Sequence, residues 1–524
     1  MKQPAAKFFL PLLLSITMIA GIFIGFKMRD SFPSSGFFSA KQQSSVEEIM
    51  QLLQSKYVDD VNAKQLSDTA IEAILSKLDP HTIYIDAKEV ADINDEINGH
   101  FYGIGIEYEV YHDTFFVTHV LPNGPGDKAK LQIGDKITKA NNKAISGKHL
   151  EIEAMVNLLR GDRNSTLSVE VMRNNKLITV PIIRDLIPVN SIEAAYMLDN
   201  KTGYIKINQF STHTYKEFMI ELTALKKAGM QNMVLDLRDN GGGVLDQAIE
   251  IVDELLEGDK LISYSEGKHY EKKEFRCRRQ GQFETGDLIL LCNEGSASAS
   301  EVVLGALQDW DRGIIIGRRS FGKGLIQEQY DLQNGAALRL TIARYFTPLG
   351  RSIQKSYKNG MYAYYEEADN RSPLVDTFHY DSSMMVTSPK GKHLFGGGGI
   401  RPDYFMPSDT TRIQKSTGDF IYKNMATQFA IPYYNKNKKT IAAFQNAVNF
   451  SNQFQFSTTD WESLESFAST NNISLDKIPS IDKIFIIENL KSTIARWQWN
   501  KNGYYQVMQS SDPYIQKSMS ILNR

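Results

Sequence analysis

The sequence predicts a multidomain α/β protein: a layered α/β core preceded by a small β-rich module, with a helical segment before them and a helical extension after. Three observations predict it. Strand-like apolar runs alternate with amphipathic helical stretches between Thr202 and Arg344, the pattern of layered α/β architecture. From Gly99 to Arg184, short alternating runs are separated by glycine and asparagine turns. Towards both ends, apolar residues recur at helical spacing. A chain of 524 residues suits several domains of roughly 100–200 residues each. The expected divisions are 1–30, 31–98, 99–185, 186–409 and 410–524.

Composition narrows the function classes. With 42% hydrophobic and 23% charged residues, the chain can bury ordinary cores. A net charge of −2, with no basic stripe interleaved with aromatics, excludes nucleic acid as the expected partner. Cys277 and Cys292 alone cannot build a four-ligand zinc site. Cys292 reads as part of a core strand and Cys277 as incidental, so no metal and no cofactor are expected.

The first thirty residues differ from the rest. Phe8–Phe26 is uncharged, is preceded by Lys2 and Lys7, and is long enough to cross roughly 30 Å of hydrocarbon as a helix. A cleaved signal peptide is the rival reading, but no A-x-A-like site is evident. The expectation is an uncleaved anchor that places the remainder outside the cytoplasm, with secretion after cleavage as the alternative. Lys27 and Arg29 on the far side weaken any orientation drawn from basic residues. Gly21 and Gly25 form one small-xxx-small pair, a weak signal for helix pairing. Ser31–Ser39 reads as a linker.

Ile49, Leu52, Leu53, Ile71, Ile74, Leu75 and Leu78 then mark helices between Val46 and Leu78. Asp79-Pro80 ends that pattern, because proline disfavours helix in the residue before it. In the β-rich module, Phe115–Val120 is a strand, Gly124-Pro125-Gly126 a turn and Ile133–Ile137 a turn-to-strand unit. Glu151–Leu159 is a helix there, and Leu167–Met172 and Leu177–Ile183 pair across Asn174-Asn175. In the core, strands are expected at Thr202–Ile207, Met233–Leu237, Leu288–Cys292, Gly313–Gly317 and Ala337–Arg344. Helices are expected at Tyr215–Ala228, Leu245–Leu256 and Ser300–Gln308. Further helices are expected at Lys439–Phe450, Trp461–Ala468, Ile481–Trp499 and Tyr505–Leu522. That extension shows no chemical constellation and reads as a helical appendage for packing or partner contacts.

The β-rich segment resembles a PDZ domain through four features. These are Gly103-Ile104-Gly105-Ile106, the Gly124-Pro125 turn, Gly134-Asp135-Lys136-Ile137 and the late helix. Lys130 stands where such modules more often have glycine. The resemblance implies that the loop N–H groups of Gly103, Ile104, Gly105 and Ile106 nest a peptide carboxylate while a sheet edge adds the peptide as a strand.

The chemistry concentrates in two segments. Gly295-Ser296-Ala297-Ser298-Ala299-Ser300-Glu301 follows an apolar strand and leaves a serine where sheet gives way to helix. In Phe321-Gly322-Lys323-Gly324-Leu325-Ile326-Gln327, one lysine lies between glycines with no acid beside it. Together they point to a serine nucleophile with a lysine base. Lysine's ordinary pKa of about 10.4 makes it useless as a base near neutrality; burial can lower that value by several units. Ser296 and Ser300 are rival nucleophiles, with helix capping as their plainer role.

These motifs resemble the tail-specific, or carboxyl-terminal processing, proteases of serine peptidase family S41. The resemblance spans roughly residues 46–405 and closes on Gly396–Gly399 and Ile400-Arg401-Pro402-Asp403. It implies Ser298 as nucleophile, Lys323 as general base and Gln327 as the residue that positions the lysine amine. For the oxyanion hole it implies the N–H of Ala299 and of a glycine in Asn240-Gly241-Gly242-Gly243, with Gly242 favoured and Gly243 behind it. It also implies protein or peptide substrates with free C-termini. The terminal helices leave self-association into a homo-oligomer open.

Other readings carry less. Asp309, eleven residues after Ser298, matches an acid of some family members but reads as structural. His213 and His269 lack a supporting motif. Gly317–Lys323 fits the start of a phosphate loop, yet Gly324 replaces the hydroxyl that would hold magnesium. A PDZ scaffold without activity has no chemical use for serine, lysine and glutamine together. A small-molecule esterase has no use for a module that captures peptide ends.

Overall fold

The computed structural model describes residues 15–21, 23, 44–111, 114–146, 152–408 and 413–523. The expected anchor Phe8–Phe26 and linker Ser31–Ser39 lie largely or wholly outside these residues, as does one member of the Gly21/Gly25 pair. Among the described residues, no helix is long and apolar enough to cross a membrane. The chain forms two compact units, Met1–Ile74 and Leu75–Arg524.

In the first unit, the expected helices form as α1 (Ser45–Lys56) and α2 (Ala63–Leu75). Ser44 caps α1 in a reciprocal box with Glu47, satisfying two N–H groups that the first turn would leave unpaired.

The second unit opens with β1 (Ile83–Ile85), α3 (Val90–Ile97) and β2 (His100–Gly103). The PDZ-like module follows with β3 (Ile106–Tyr111), β4 (Thr114–Val120), α4 (Pro125–Lys128), β5 (Lys136–Ala140), β6 (Lys143–Ala144), α5 (Ile152–Leu159), β7 (Thr166–Arg173) and β8 (Lys176–Ile183). Its sheet runs β3-β4-β5-β7-β8, with β6 on β5, so β3 is an edge strand. Phe115, Val117, Ile137, Leu167, Val169 and Val171 alternate inward to form its core. Asn174 and Asn175 both take left-handed φ, +49° and +61°, as a two-residue hairpin turn requires. Gly124-Pro125-Gly126 is more than a turn: Pro125 occupies the first position of α4, where its missing N–H costs nothing. Lys130, which stands in a glycine's place, does adopt a left-handed φ of +61°.

After β9 (Asp185–Pro188) comes the core, with β10 (Ile192–Met197), β11 (Thr202–Ile207), α6 (Thr214–Lys227), β12 (Asn232–Asp236), α7 (Leu245–Asp253), β13 (Leu261–Gly267), β14 (Tyr270–Arg276), β15 (Leu288–Cys292), α8 (Ala299–Asp309), β16 (Ile314–Gly317), β17 (Leu325–Asp331) and β18 (Ala337–Phe346). It closes with α9 (Met361–Asp369), β19 (Met385–Thr387), β20 (His393–Phe395) and β21 (Tyr404–Phe405). The main sheet has the order β10-β11-β12-β15-β16-β21. Only β10–β11 is antiparallel; the other pairings are parallel. A second sheet runs β1-β18-β13-β14 with β17 on β18.

Strand residues alternate between two apolar layers. Ile205, Leu235 and Leu290 pack with Phe218, Ile251 and Val303 of α6, α7 and α8. Tyr204, Val234 and Leu291 face the other way.

The extension comprises α10 (Lys415–Tyr422), α11 (Met425–Ala442), α12 (Ala447–Gln453), α13 (Thr458–Thr470), α14 (Ser480–Met508) and α15 (Pro513–Leu522). Two expectations fail here. Lys439–Phe450 is broken because Asn446 caps α12 by accepting from Asn449 N–H. Ile441, Ala447 and Phe450 nonetheless share one core, which is why their spacing mimicked a single helix. Tyr505–Leu522 is broken at Asp512-Pro513, where Asp512 caps α15. The packing role expected of the extension is met. Tyr514 and Ile515 of α15 pack on Tyr204, Val234 and Leu291 and form the sheet's second covering layer. The extension also holds edge strand β3, through Arg496 to Glu107 at 2.7 Å and Asn424 to Glu109 at 2.8 Å.

Asp309 is structural. It is fully buried at the end of α8, pairs with Arg351 and accepts from Leu349 N–H at 2.8 Å. Replacing Asp309 with alanine leaves Arg351 buried and unpaired, so unfolding in urea should show a loss of about 3–5 kcal/mol.

Candidate active site

Three loops leave the C-terminal ends of adjacent parallel strands, where open α/β sheets form their crevices. Arg238–Gly243 follows β12, Asn293–Ser298 follows β15 and Arg318–Lys323 follows β16. Ser298, Ala299, Lys323, Gln327, Gly241 and Gly243 line one cleft of about 370 Å³, which Arg339 and Tyr345 also border.

Ser298 sits immediately before α8 with φ +55° and ψ −114°, a strained backbone for a residue with a Cβ. What holds it there is Glu301, one turn into the helix and fully buried. One carboxylate oxygen accepts from Ser298 N–H at 2.9 Å and from Lys323 N–H at 2.8 Å. The other accepts from Gly322 N–H at 2.8 Å and from the Ser320 hydroxyl at 2.5 Å. Burial pushes the Glu301 carboxyl up to about 7 against the pull of these four donors. Tyr345 adds a second tie, donating to the carbonyls of Ser298 at 3.0 Å and Lys323 at 2.7 Å.

Lys323 Nζ donates to Gln327 Oε1 at 3.0 Å. Burial lowers the lysine's pKa, with Arg339 adding to the effect; Glu301 and Asp79 oppose it. The Gln327 amide is oriented from its far side, since its Nε2 donates to the His81 carbonyl, which leaves Oε1 facing the lysine. That carbonyl is set by a turn in which Asp79 accepts from His81 N–H at 2.9 Å and Thr82 N–H at 3.1 Å. The His81 ring lies 2.9 Å from the Tyr364 hydroxyl. Its pKa is pushed down to about 4, first by burial and then by Lys323, so it stays neutral near pH 7.

The glycine turn lies against the Ser298 turn. A Cβ on Gly242, whose φ is +99°, would come within 2.7 Å of Ala297 O and Ser298 Cβ; one on Gly243 would meet Phe210 O at 2.1 Å. The two expected oxyanion glycines differ. Gly242 N–H already donates to Asn240 Oδ1 at 2.9 Å, whereas among the described residues Gly243 N–H and Ala299 N–H have no acceptor.

Ser296 and Ser300 are not helix caps. Ser296 Oγ donates to Leu237 O at 2.7 Å and Ser300 Oγ to Asn240 O at 2.9 Å, both buried. They stitch the serine turn to the glycine turn. His213 and His269 are exposed. The Gly317–Lys323 run wraps the Glu301 carboxylate, the opposite of a phosphate cradle. Gly103, Ile104, Gly105 and Ile106 form the passage from β2 into edge strand β3, with Gly105 at φ +68°. Among the described residues, no cluster of His, Cys, Asp or Glu is suited to a metal.

Comparison with known proteins decides the family. The profile of peptidase family S41 matches residues 201–360, and that of the PDZ domain matches 103–183. The activating protease CtpB N-terminal domain matches residues 29–89, and a family of unknown function matches 418–500. A carboxy-terminal-processing protease of Bartonella bacilliformis is 35% identical over 60% of this chain and 73% of its own length. A probable CtpA-like serine protease of Staphylococcus aureus is 30% identical over 89% of this chain and 90% of its own. The chain belongs to peptidase family S41. It is a serine-type peptidase, a hydrolase of protein or peptide substrates, with a PDZ domain. Among solved structures, a photosystem II D1 C-terminal processing protease covers 70% of this chain and 87% of its own at 24% identity, with a TM-score of 0.37.

Glu301, His81, Asp79 and Tyr345 were missed as site residues. Ser298-Ala-Ser-Glu301 did carry a signal, the S-x-x-E spacing of a capping box. Asp79-Pro80-His81-Thr82 carried that of an Asx turn.

Glu301→Gln adds N–H donors where only acceptors fit, and should slow peptide hydrolysis about 100-fold through misplacement. Because burial raises this acid's folded value from 4.5 to about 7, its contribution to stability is full below about pH 4.5 and lost as pH rises through 7. Denaturation at a series of pH values should show that component in the wild type and not in Glu301→Gln.

Proposed function

We propose that this peptidase works through Ser298 and Lys323 as a dyad, cleaving proteins near C-termini captured by its PDZ domain. The observation that carries the reading is Lys323 Nζ held by a neutral amide, in the same cleft as Ser298 and, among the described residues, without a carboxylate partner. Burial favours the neutral amine, and the nearby acid, Glu301, bonds the Lys323 backbone N–H rather than the amine.

Ser298 Oγ attacks the scissile carbonyl as its proton passes to Lys323 Nζ. Gln327 fixes the amine. The oxyanion is met by Ala299 N–H and Gly243 N–H; Gly242 N–H joins only if it leaves Asn240. When the C–N bond breaks, Lys323 returns the proton to the leaving amine. Water, deprotonated by the same lysine, then attacks the acyl carbon; the bond to Ser298 Oγ breaks and Lys323 returns the proton to that oxygen. The substrate tail is held by the Gly103–Ile106 loop and lies along the β3 edge. The apolar Phe8–Phe26 run would place the enzyme on the extracytoplasmic side, tethered to the membrane or secreted after cleavage. Self-association would use the terminal helices.

The test is mass spectrometry of products from a library of unstructured peptides, each with a free or amidated C-terminus. Ser298→Ala and Lys323→Ala should each lower kcat by about 10⁴-fold or more. Amidation should raise KM more than it lowers kcat. Undiminished turnover by Ser298→Ala would end the proposal.

A further inference from the structure

We infer that Asp512 and Tyr514, at the start of α15, are positioning residues for the peptidase reaction, setting the glycine, serine and lysine loops through Arg238 and Arg318. The inference rests on the reading of Ser298 and the glycine turn given above.

Each of the two arginines lies at the root of an active-site loop. Arg238 lies two residues past the end of β12 and opens the turn that carries Gly241–Gly243. Its guanidinium binds buried Asp236 at 2.6 Å and Asp512 at 2.8 Å, and lies over the Tyr514 ring with its carbon 4.6 Å from the centroid. Burial works against the charge on Asp236, but Arg238 and Lys206 hold its carboxyl below the usual carboxylate range. Lys206 Nζ also ties the loop, donating to the Arg238 carbonyl at 2.9 Å.

Arg318 opens the loop that carries Lys323. It donates to the Tyr514 hydroxyl and makes a two-pronged pair with Glu294, 2.7 Å on each arm. Glu294 lies four residues before Ser298. The loops are then joined further in, where Asn293 and Asp239 exchange bonds of 2.9 and 2.7 Å. One short segment of the extension therefore bonds the roots of two loops, through Arg238 and Arg318, and reaches the third through the Glu294 partner of Arg318. Tyr514 is only 8% exposed, so its ring is a fixed wall between the two arginines.

Residues so placed act on the geometry at the reacting carbonyl rather than on substrate capture, and a shift of about 1 Å there can cost about 100-fold in rate. The structure provides an internal control. Ile515 is buried on the same helix against the same sheet face but bonds neither arginine, so Ile515→Ala weakens the docking of α15 alone.

The experiment uses the full chain, the fastest-cleaved peptide of the library above and a fluorophosphonate that labels the active serine. Asp512→Asn keeps an N-capping side chain and removes only the charge; Tyr514→Phe keeps the ring and removes only the hydroxyl. Each should lower kcat and the labelling rate about tenfold, with KM within about twofold of wild type. Asp512→Glu should recover part of the loss. Ile515→Ala should lower the melting temperature without the kcat deficit. Unchanged kcat and labelling in both conservative variants, or an equal deficit in Ile515→Ala at matched loss of stability, would overturn the inference. Failure of the underlying reading is distinguishable, because Ser298→Ala would then still cleave.

Discussion

The Glu301 carboxylate is the constraint on which the site depends. A serine on a strained turn and a lysine from a different loop line one cleft. Neither loop has regular secondary structure to hold it. A single buried carboxylate accepts the backbone N–H of Ser298, Gly322 and Lys323 and so fixes both loops by their main chains. Main-chain anchoring leaves the Ser298 hydroxyl and the Lys323 amine out of these ties. It also offsets the cost of a buried charge, since four donors stand in for water.

Around that anchor, hydroxyls do what the helix dipole and packing cannot. Ser296 and Ser300 bond backbone carbonyls after β12 and Ser320 bonds Glu301 of α8, so two serines of the serine-rich run are cross-ties. Only Ser298 among them takes a left-handed φ and lines the cleft. The glycines complete the arrangement by omission. The glycine turn approaches the serine turn so closely that any side chain at Gly242 would collide with Ser298 itself.

Much of this was legible in sequence, and the failures have physical causes. The core strands at Thr202–Ile207 and Leu288–Cys292 form where apolar runs bounded by turns place them, because sheets covered on both faces are written as continuous apolar stretches. Ser298, Lys323 and Gln327 lay within recognisable motifs, and the structure brings them to one cleft. The residues behind them were harder. Glu301 reads locally as a helix cap, which it also is; its contacts to Gly322 and Lys323 cross about twenty positions and leave no periodic trace. Asp512 and Tyr514 come from nearly two hundred residues downstream of Lys323. Their helix is amphipathic like any other, and only the sheet face it covers reveals what its first turn touches. The breaks at Asn446 and Asp512 were lost because the apolar spacing continues across them while the caps are single polar residues.

The proximity of Glu301 to Lys323 raises a conflict that the fold resolves. A carboxylate beside a lysine normally stabilises the ammonium and spoils a base, and Glu301 does act in that direction here. Two features oppose it. The carboxylate's oxygens are occupied by backbone N–H groups and one hydroxyl, so its charge is met by donors rather than by the amine. The amine itself sits in a buried cleft with Arg339 contributing like charge and Gln327 offering only a neutral oxygen. Replacing that amide by a carboxylate would reverse the balance: Gln327→Glu would pair the amine and hold it protonated, although the change adds no bulk. The identity of residue 327 thus matters less for the hydrogen bond it makes than for the charge it lacks.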